Sequence, residues 1–295
     1  MELLERSIQS RPAQVLYRWL TQAISQQPLD WLAENIERIS NGKRQTVLYT
    51  TFSSIPRRLG KNDLDLTSEM LAEAESVCAG WNPKNWSVDQ AARSLLLLVV
   101  PSGNKDDYER SLYPLFDNAD VNELIALNQS LPLLPHPESH LGHAINGIRS
   151  NITAVFNAVA LNNPYPAQYF DELAWNQLVL KSLFIDSPLH QIQGLDQRAN
   201  AKLARMLSDY AHERWAASRS VNPELWRPIG PFAEGDLVAD LEKVLTTGNE
   251  IEQAAAALAC AASSSEEAQK LLLKDSELQA RIQDGRLTWE TLVKH

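Results

Sequence analysis

Period constrains this chain more than any other feature. Nearly every segment spaces its apolar residues by three or four, and none alternates convincingly as a strand would. Prolines divide the pattern. Pro12, Pro28, Pro83, Pro114, Pro166, Pro188 and Pro223 fall near helix starts or just past helix ends, where a missing N–H costs little. Glycine is scarce at 11 of 295 residues. That disfavours turn-rich β architectures and Gly-rich phosphate loops, which need positive φ at many positions. Helices are predicted over 12–26, 28–41, 43–56, 67–80, 87–100, 104–116 and 120–130. Further helices follow over 139–161, 168–185, 199–218, 233–246, 249–262 and 265–273. Ser87 with Gln90 three residues on fits a capping box, and Thr67-Ser68-Glu69 fits a helix start.

Short loops between many helices imply antiparallel neighbours. The expected fold is therefore all-α: stacked antiparallel helical hairpins in a HEAT-like right-handed superhelix or an irregular helical array. No repeat of fixed period is visible, although degenerate repeats keep only their apolar pattern. A single domain over 1–295 is expected. The Pro-rich Leu131–Pro137 stretch is a candidate elbow between an N-terminal part (1–130) and a C-terminal part (138–295).

Composition removes several function classes. A net charge of −10 argues against sequence-independent nucleic-acid binding, which rests on neutralising phosphates. Two cysteines, Cys78 and Cys260, make neither a disulfide scaffold nor a paired-thiolate zinc site, and fit a reducing compartment. Met1 to Ser10 is charged and has no apolar core, so no signal peptide is expected there. The longest apolar run, Leu95 to Pro101, is too short to span a bilayer. The expectation is a soluble cytoplasmic protein without transmembrane segment or cofactor, peripheral at the inner membrane only through partners.

Specific chemistry concentrates between Asn162 and Phe232, which is dense in Trp, Tyr, His, Asp and Arg. From Asp171 to Ile185 a helix is apolar on nearly all sides, so it should be buried, Leu173 and Phe184 included. Asn176 within it is either a clamp on a loop backbone or a ligand contact. In the predicted helix 139–161, Leu141, Ile145, Ile148, Ile152, Val155, Phe156 and Val159 form an apolar stripe. A second stripe carries small residues such as Ala144 and Gly147. His140 and His143 are three apart and can face one site, with His136, His190 and His212 as further imidazoles. His-x-x-His alone lacks the other ligands of zinc signatures, so capping and surface roles are expected instead.

On the helix 199–218, Arg214 joins the core stripe and should find a carboxylate or carbonyls. Asp209 and His212 could pair as a general base, or serve with Arg205 as a salt-bridged solvent face. No nucleophile or oxyanion motif accompanies them, which favours the second alternative. The loop from Asp186 to Asn200 is too long and polar for a plain connector. Within it Asp186 can cap a turn, and Asp196 with Arg198 can form an ion pair or bind an anion.

The strings NNPYPAQYFDELAWNQLVLKSLF, SPLHQIQGLDQRANAKLARMLSDYAHERWAASR and PELWRPIGPF resemble the EboA family of bacterial metabolite-traffic proteins. The likeness is specific over roughly Asn162 to Phe232. It returns at Ala257 to Cys260 and from Gly285 to Trp289. The resemblance implies a protein encoded beside a UbiA-like prenyltransferase and other partners, in clusters that move secondary metabolites toward the periplasm. It implies no catalytic residues. The family-like positions are Asn176, Lys181, Asp186, His190, Asp196, Arg198, Asp209, His212, Glu213, Arg214 and Trp226, without assigned roles.

Three functions compete. The first is a non-catalytic accessory or adaptor for metabolite traffic, acting with proteins of the same cluster, a membrane prenyltransferase among them. The second is a protein that encloses a small aromatic or prenylated metabolite near Trp175, Tyr169, Phe184 and Trp215. The third is a metal-dependent enzyme built on His140, His143, His190 or His212. The first is the expectation, with Asn176, Lys181, Asp186, His190, Asp196, Arg198, Asp209, His212 and Arg214 as its candidate binding residues.

Overall fold

The computed structural model describes residues 7–41 and 45–293. Most of the Met1–Ser10 stretch lies outside the described residues. The described chain is all-α, as the periodicity predicts; its one β feature is an isolated bridge between Asp63 and Ser87. It divides into two compact units, Met1–Phe170 and Asp171–His295.

The first unit contains α1 (Arg11–Ala23), α2 (Gln26–Ser40), α3 (Gln45–Leu59), α4 (Ser68–Val77) and α5 (Val88–Leu98). It continues with α6 (Lys105–Asn118), α7 (Val121–Ser130), α8 (Leu141–Arg149), α9 (Thr153–Ala160) and α10 (Tyr165–Tyr169). Helix α5 is the hub and packs against α1, α3 and α7. Its Ser87–Gln90 capping box forms as expected. With neighbours on most sides, it buries even Asp89 and Arg93. Arg93, 2 % exposed, donates to Asp89 at 2.9 Å and to the carbonyl of Phe52 at 3.2 Å, and its guanidinium lies 5.3 Å from the Phe52 ring. Burial pulls its pKa down; the charges of Asp89 and Glu123 oppose that shift.

The predicted helix 139–161 is interrupted. A 3₁₀ turn at Pro137–His140 leads into α8, and a break at Ser150–Ile152 precedes α9. The Ser150 hydroxyl accepts from the Ile152 amide there, a local bond that competes with continuing the helix. The break folds α9 back on α8: Ile148, Val155, Phe156 and Val159 of the expected stripe are buried, Leu141 and Ile152 are exposed, and Ala144, Gly147 and Ala158 of the second stripe are buried too. Similarly, 168–185 is two helices, because Asp171 caps a new start by accepting from the Ala174 amide at 2.8 Å. Leu131–Pro137 lies inside the first unit, beginning with a 3₁₀ turn over Leu131–Leu133.

The second unit contains α11 (Glu172–Phe184), α12 (Ala201–Ala216), α13 (Asp236–Thr247), α14 (Glu250–Ala262), α15 (Glu266–Leu272), α16 (Ser276–Gln283) and α17 (Trp289–Leu292). Here α14 is the hub, buried from Ala254 through Cys260 and touching α13, α15, α16, α17 and two 3₁₀ turns. Its alanines permit backbone approach: a Cβ on Gly230 would stand 2.7 Å from the Ala259 carbonyl oxygen. Helix α11 is not buried all round as expected. Leu173 and Phe184 are 55 % and 60 % exposed, because α12 and the following loop cover only part of its circumference. Among the described residues, no helix is long and apolar enough to cross a membrane.

Candidate functional site

The loop between α11 and α12 is stapled along its length. Asp186 takes a left-handed conformation (φ 57°), and the Ser187 amide then reaches back to the Ser182 carbonyl at 2.8 Å. Leu189, Ile192 and Leu195 point inward and are buried. His190 Nδ1 lies between both Glu224 carboxylate oxygens, at 3.0 and 3.1 Å. Asp196 accepts a two-pronged pair from Arg227, each bond 2.7 Å. Arg198 lays its guanidinium 4.7 Å from the Trp175 ring. Burial lowers the Arg198 pKa, partly opposed by Asp171. For Arg227 burial also lowers it, but the hydrogen bond and charge of Asp196 win and the net shift is upward.

At the loop's end Asn176 clamps a side chain rather than the loop backbone. It is fully buried and exchanges amide hydrogen bonds with Asn200, at 3.2 and 2.9 Å. Asn200 in turn accepts from the Leu203 amide and so caps α12, and it donates to the Arg198 carbonyl. Lys181 is half-buried on α11, and burial lowers its pKa.

The Asp209–His212 pairing does not form. His212 Nε2 meets Asp240 of α13 at 2.6 Å, and the other Asp240 oxygen accepts from Ser208 at 2.6 Å. The carboxylate thus stands between hydroxyl and imidazole, unlike a nucleophile–base pair, in which the hydroxyl contacts the imidazole directly. Asp209 lines a separate exposed groove of about 720 Å³ with Arg205 and Phe232. His140 and His143 do not share a site either. His140 is buried with Nε2 3.0 Å from the Pro135 carbonyl, while His143 stacks on Phe116 at 4.0 Å. Among the described residues, no three His, Cys, Asp or Glu side chains converge as metal ligands.

The second unit also leaves open a pair of adjoining clefts on either side of the segment 218–223. They share Ser220, Val221 and Glu252. The smaller, about 350 Å³, is lined by Trp215, Arg219 and Lys243. Trp215 stacks on buried Trp226 at 5.8 Å, and the Lys243 ammonium stands 3.7 Å from its ring centroid. The larger, about 570 Å³, is lined by Phe184, Tyr210, Arg214 and Asp186. Phe184 and Tyr210 meet edge to face at 4.8 Å. Arg214 finds a carbonyl, donating to Ser220 at 2.9 Å, and so anchors the dividing segment. Cations therefore gather here in an acidic protein, and one nearby carboxylate, Glu252, is already committed to the cap of α14.

Of the candidate residues, Asp186 and Arg214 share a cleft. The partners Glu224, Arg227, Lys243 and Asp240 escape sequence reasoning, since each lies more than 25 positions from the residue it meets. Asn200 carried a usable signal: an Asn directly before a helical run.

Helices paired in hairpins, a polar centre stapled by side chains and open clefts beside it define an all-α protein whose exposed features suit binding. The family model described as metabolite traffic protein EboA matches residues 12–230, and the chain belongs to that family. The match reaches well beyond the central block into α1–α9, and it ends before α13, so the likeness at Ala257–Cys260 and Gly285–Trp289 lies outside it. No curated protein and no solved structure matches the sequence.

Proposed function

We propose that this protein serves metabolite traffic as a non-catalytic helical adaptor, offering the clefts around 218–223 to a partner of the same gene cluster. A membrane prenyltransferase is one such partner, and export toward the periplasm is the process it would assist. One observation carries the reading: the polar residues of the central block spend their hydrogen bonds on one another, while Phe184 is left 60 % exposed beside Arg214. Saturated polar groups fix a shape, and an exposed aromatic next to a cation is the composition of a contact surface. The protein would sit in the cytoplasm and reach the inner membrane through its partner.

The test is a pull-down of tagged protein from the native host, with mass spectrometry of proteins and small molecules. Phe184→Ser and Arg219→Glu should lose the partner while keeping the melting temperature. An unchanged set of captured proteins would reject the proposal. The aromatic and cationic lining of the smaller cleft favours a second reading, in which the metabolite itself is held there. In that case a small molecule co-purifies and is lost on Trp215→Leu, with the captured proteins unchanged.

A further inference from the structure

We infer that the first unit carries a separate binding site for a small zwitterion of the α-amino acid class, between the ends of α6 and α8 and the flank of α7. The site is a cleft of about 370 Å³, independent of the clefts in the second unit. That volume suits a small metabolite and exceeds what one bridging water fills.

One observation points to a ligand. Asn128, 1 % exposed, lines the cleft, yet its side-chain oxygen is buried without a hydrogen-bond partner. Its backbone carbonyl is held by Asn163 at 3.1 Å. A buried amide oxygen left unpaired costs roughly 1–3 kcal/mol, so it wants a donor. Beside it, Gly147 lets Asn128 and Val159 pack closely: a Cβ there would stand 3.1 Å from the Asn128 oxygen and 2.6 Å from Val159.

The charges define the class. Asp117 also lines the cleft and forms no salt bridge among the described residues. Both α6, at Asn118, and α8, at Arg149, end here, and helix C-termini carry partial negative charge. Amide oxygen, carboxylate and helix ends all favour an ammonium group. Arg149 at the rim, likewise without a salt bridge among the described residues, supplies the opposite charge for a carboxylate. Phe116, Leu124 and Val155 give the apolar wall for a side chain. His143, stacked on Phe116, is held toward its neutral form by burial, so it adds little charge near neutral pH.

Isothermal titration of the full-length protein with L-leucine and L-phenylalanine tests the inference. At least one should bind, and 4-methylpentanoate and isoamylamine, each lacking one charge of leucine, should bind at least about tenfold more weakly. Arg149→Gln, at an exposed position, should weaken amino-acid binding about tenfold, and Asn128→Leu should abolish it. If Asn128→Leu does not fold, Arg149→Gln and the one-charge probes still decide. Failure of both amino acids to bind overturns the inference. So does equal binding of a one-charge probe, or an affinity unmoved by Arg149→Gln.

Discussion

Asn200→Ala should cost far more than the loss of a helix cap, because Asn200 does two jobs. As a cap it satisfies the Leu203 amide, worth about 1 kcal/mol. As a latch it exchanges two hydrogen bonds with Asn176, which is fully buried. Truncation leaves both polar atoms of that amide without these partners, at roughly 1–3 kcal/mol for the desolvated group. The expected total is about 2–4 kcal/mol. Asn200→Asp separates the two effects: an aspartate still caps α12 but cannot donate to the Asn176 oxygen, so it should cost about half as much. Asn176→Leu should recover part of the loss in the Asn200→Ala background, since it removes the stranded amide. Urea unfolding followed by tryptophan fluorescence measures these variants, Asn176→Leu alone and the wild type, with the transition of the second unit as readout. A cost for Asn200→Ala no greater than a bare cap, with additivity within about 0.5 kcal/mol, would refute the latch.

Further expectations concern other parts of the molecule. Arg93→Met should destabilise the first unit by about 3–5 kcal/mol in denaturant titration, because Asp89 and the Phe52 carbonyl lose their buried partner. Gly230→Ala should cost about 1–3 kcal/mol or block folding, since its Cβ would press on the Ala259 backbone. Burial lowers the pKa of both His140 and His143, so the unfolded chain binds protons more readily. Their contribution should therefore be intact above the unfolded value of ~6.5 and erode as pH falls below it, and His143→Phe should flatten that slope in melting temperature. Burial pushes the Cys260 thiol up to about 12, so in the folded protein it should resist iodoacetamide at pH 8 and react only on unfolding.

Local signals were legible where the deciding atoms lie within a few positions. The Ser87 capping box and the Thr67 start of α4 follow from neighbouring side chains, and the structure keeps them. The break at Ser150–Ile152 was harder, because helix-compatible residues run through it and α9's packing on α8 decides the outcome. Asn176 and Arg214 could be assigned a need, a partner for a buried amide or guanidinium, without naming that partner. Asp209 and His212 show the opposite failure. Their spacing allowed a pair but favoured a salt-bridged solvent face, yet Asp240, 28 positions after His212, takes the imidazole.

By itself the sequence determined an all-helical chain with a polar, aromatic centre, since period and capping are set by residues a turn apart. Tertiary structure alone decided what that centre does. Which carboxylate meets His190 or His212, which arginine holds Asp196, and which aromatic stays uncovered depend on helices brought together from distant positions. Short-range periodicity carries no information about those encounters, because each is fixed by close packing around the two hub helices rather than by any local preference.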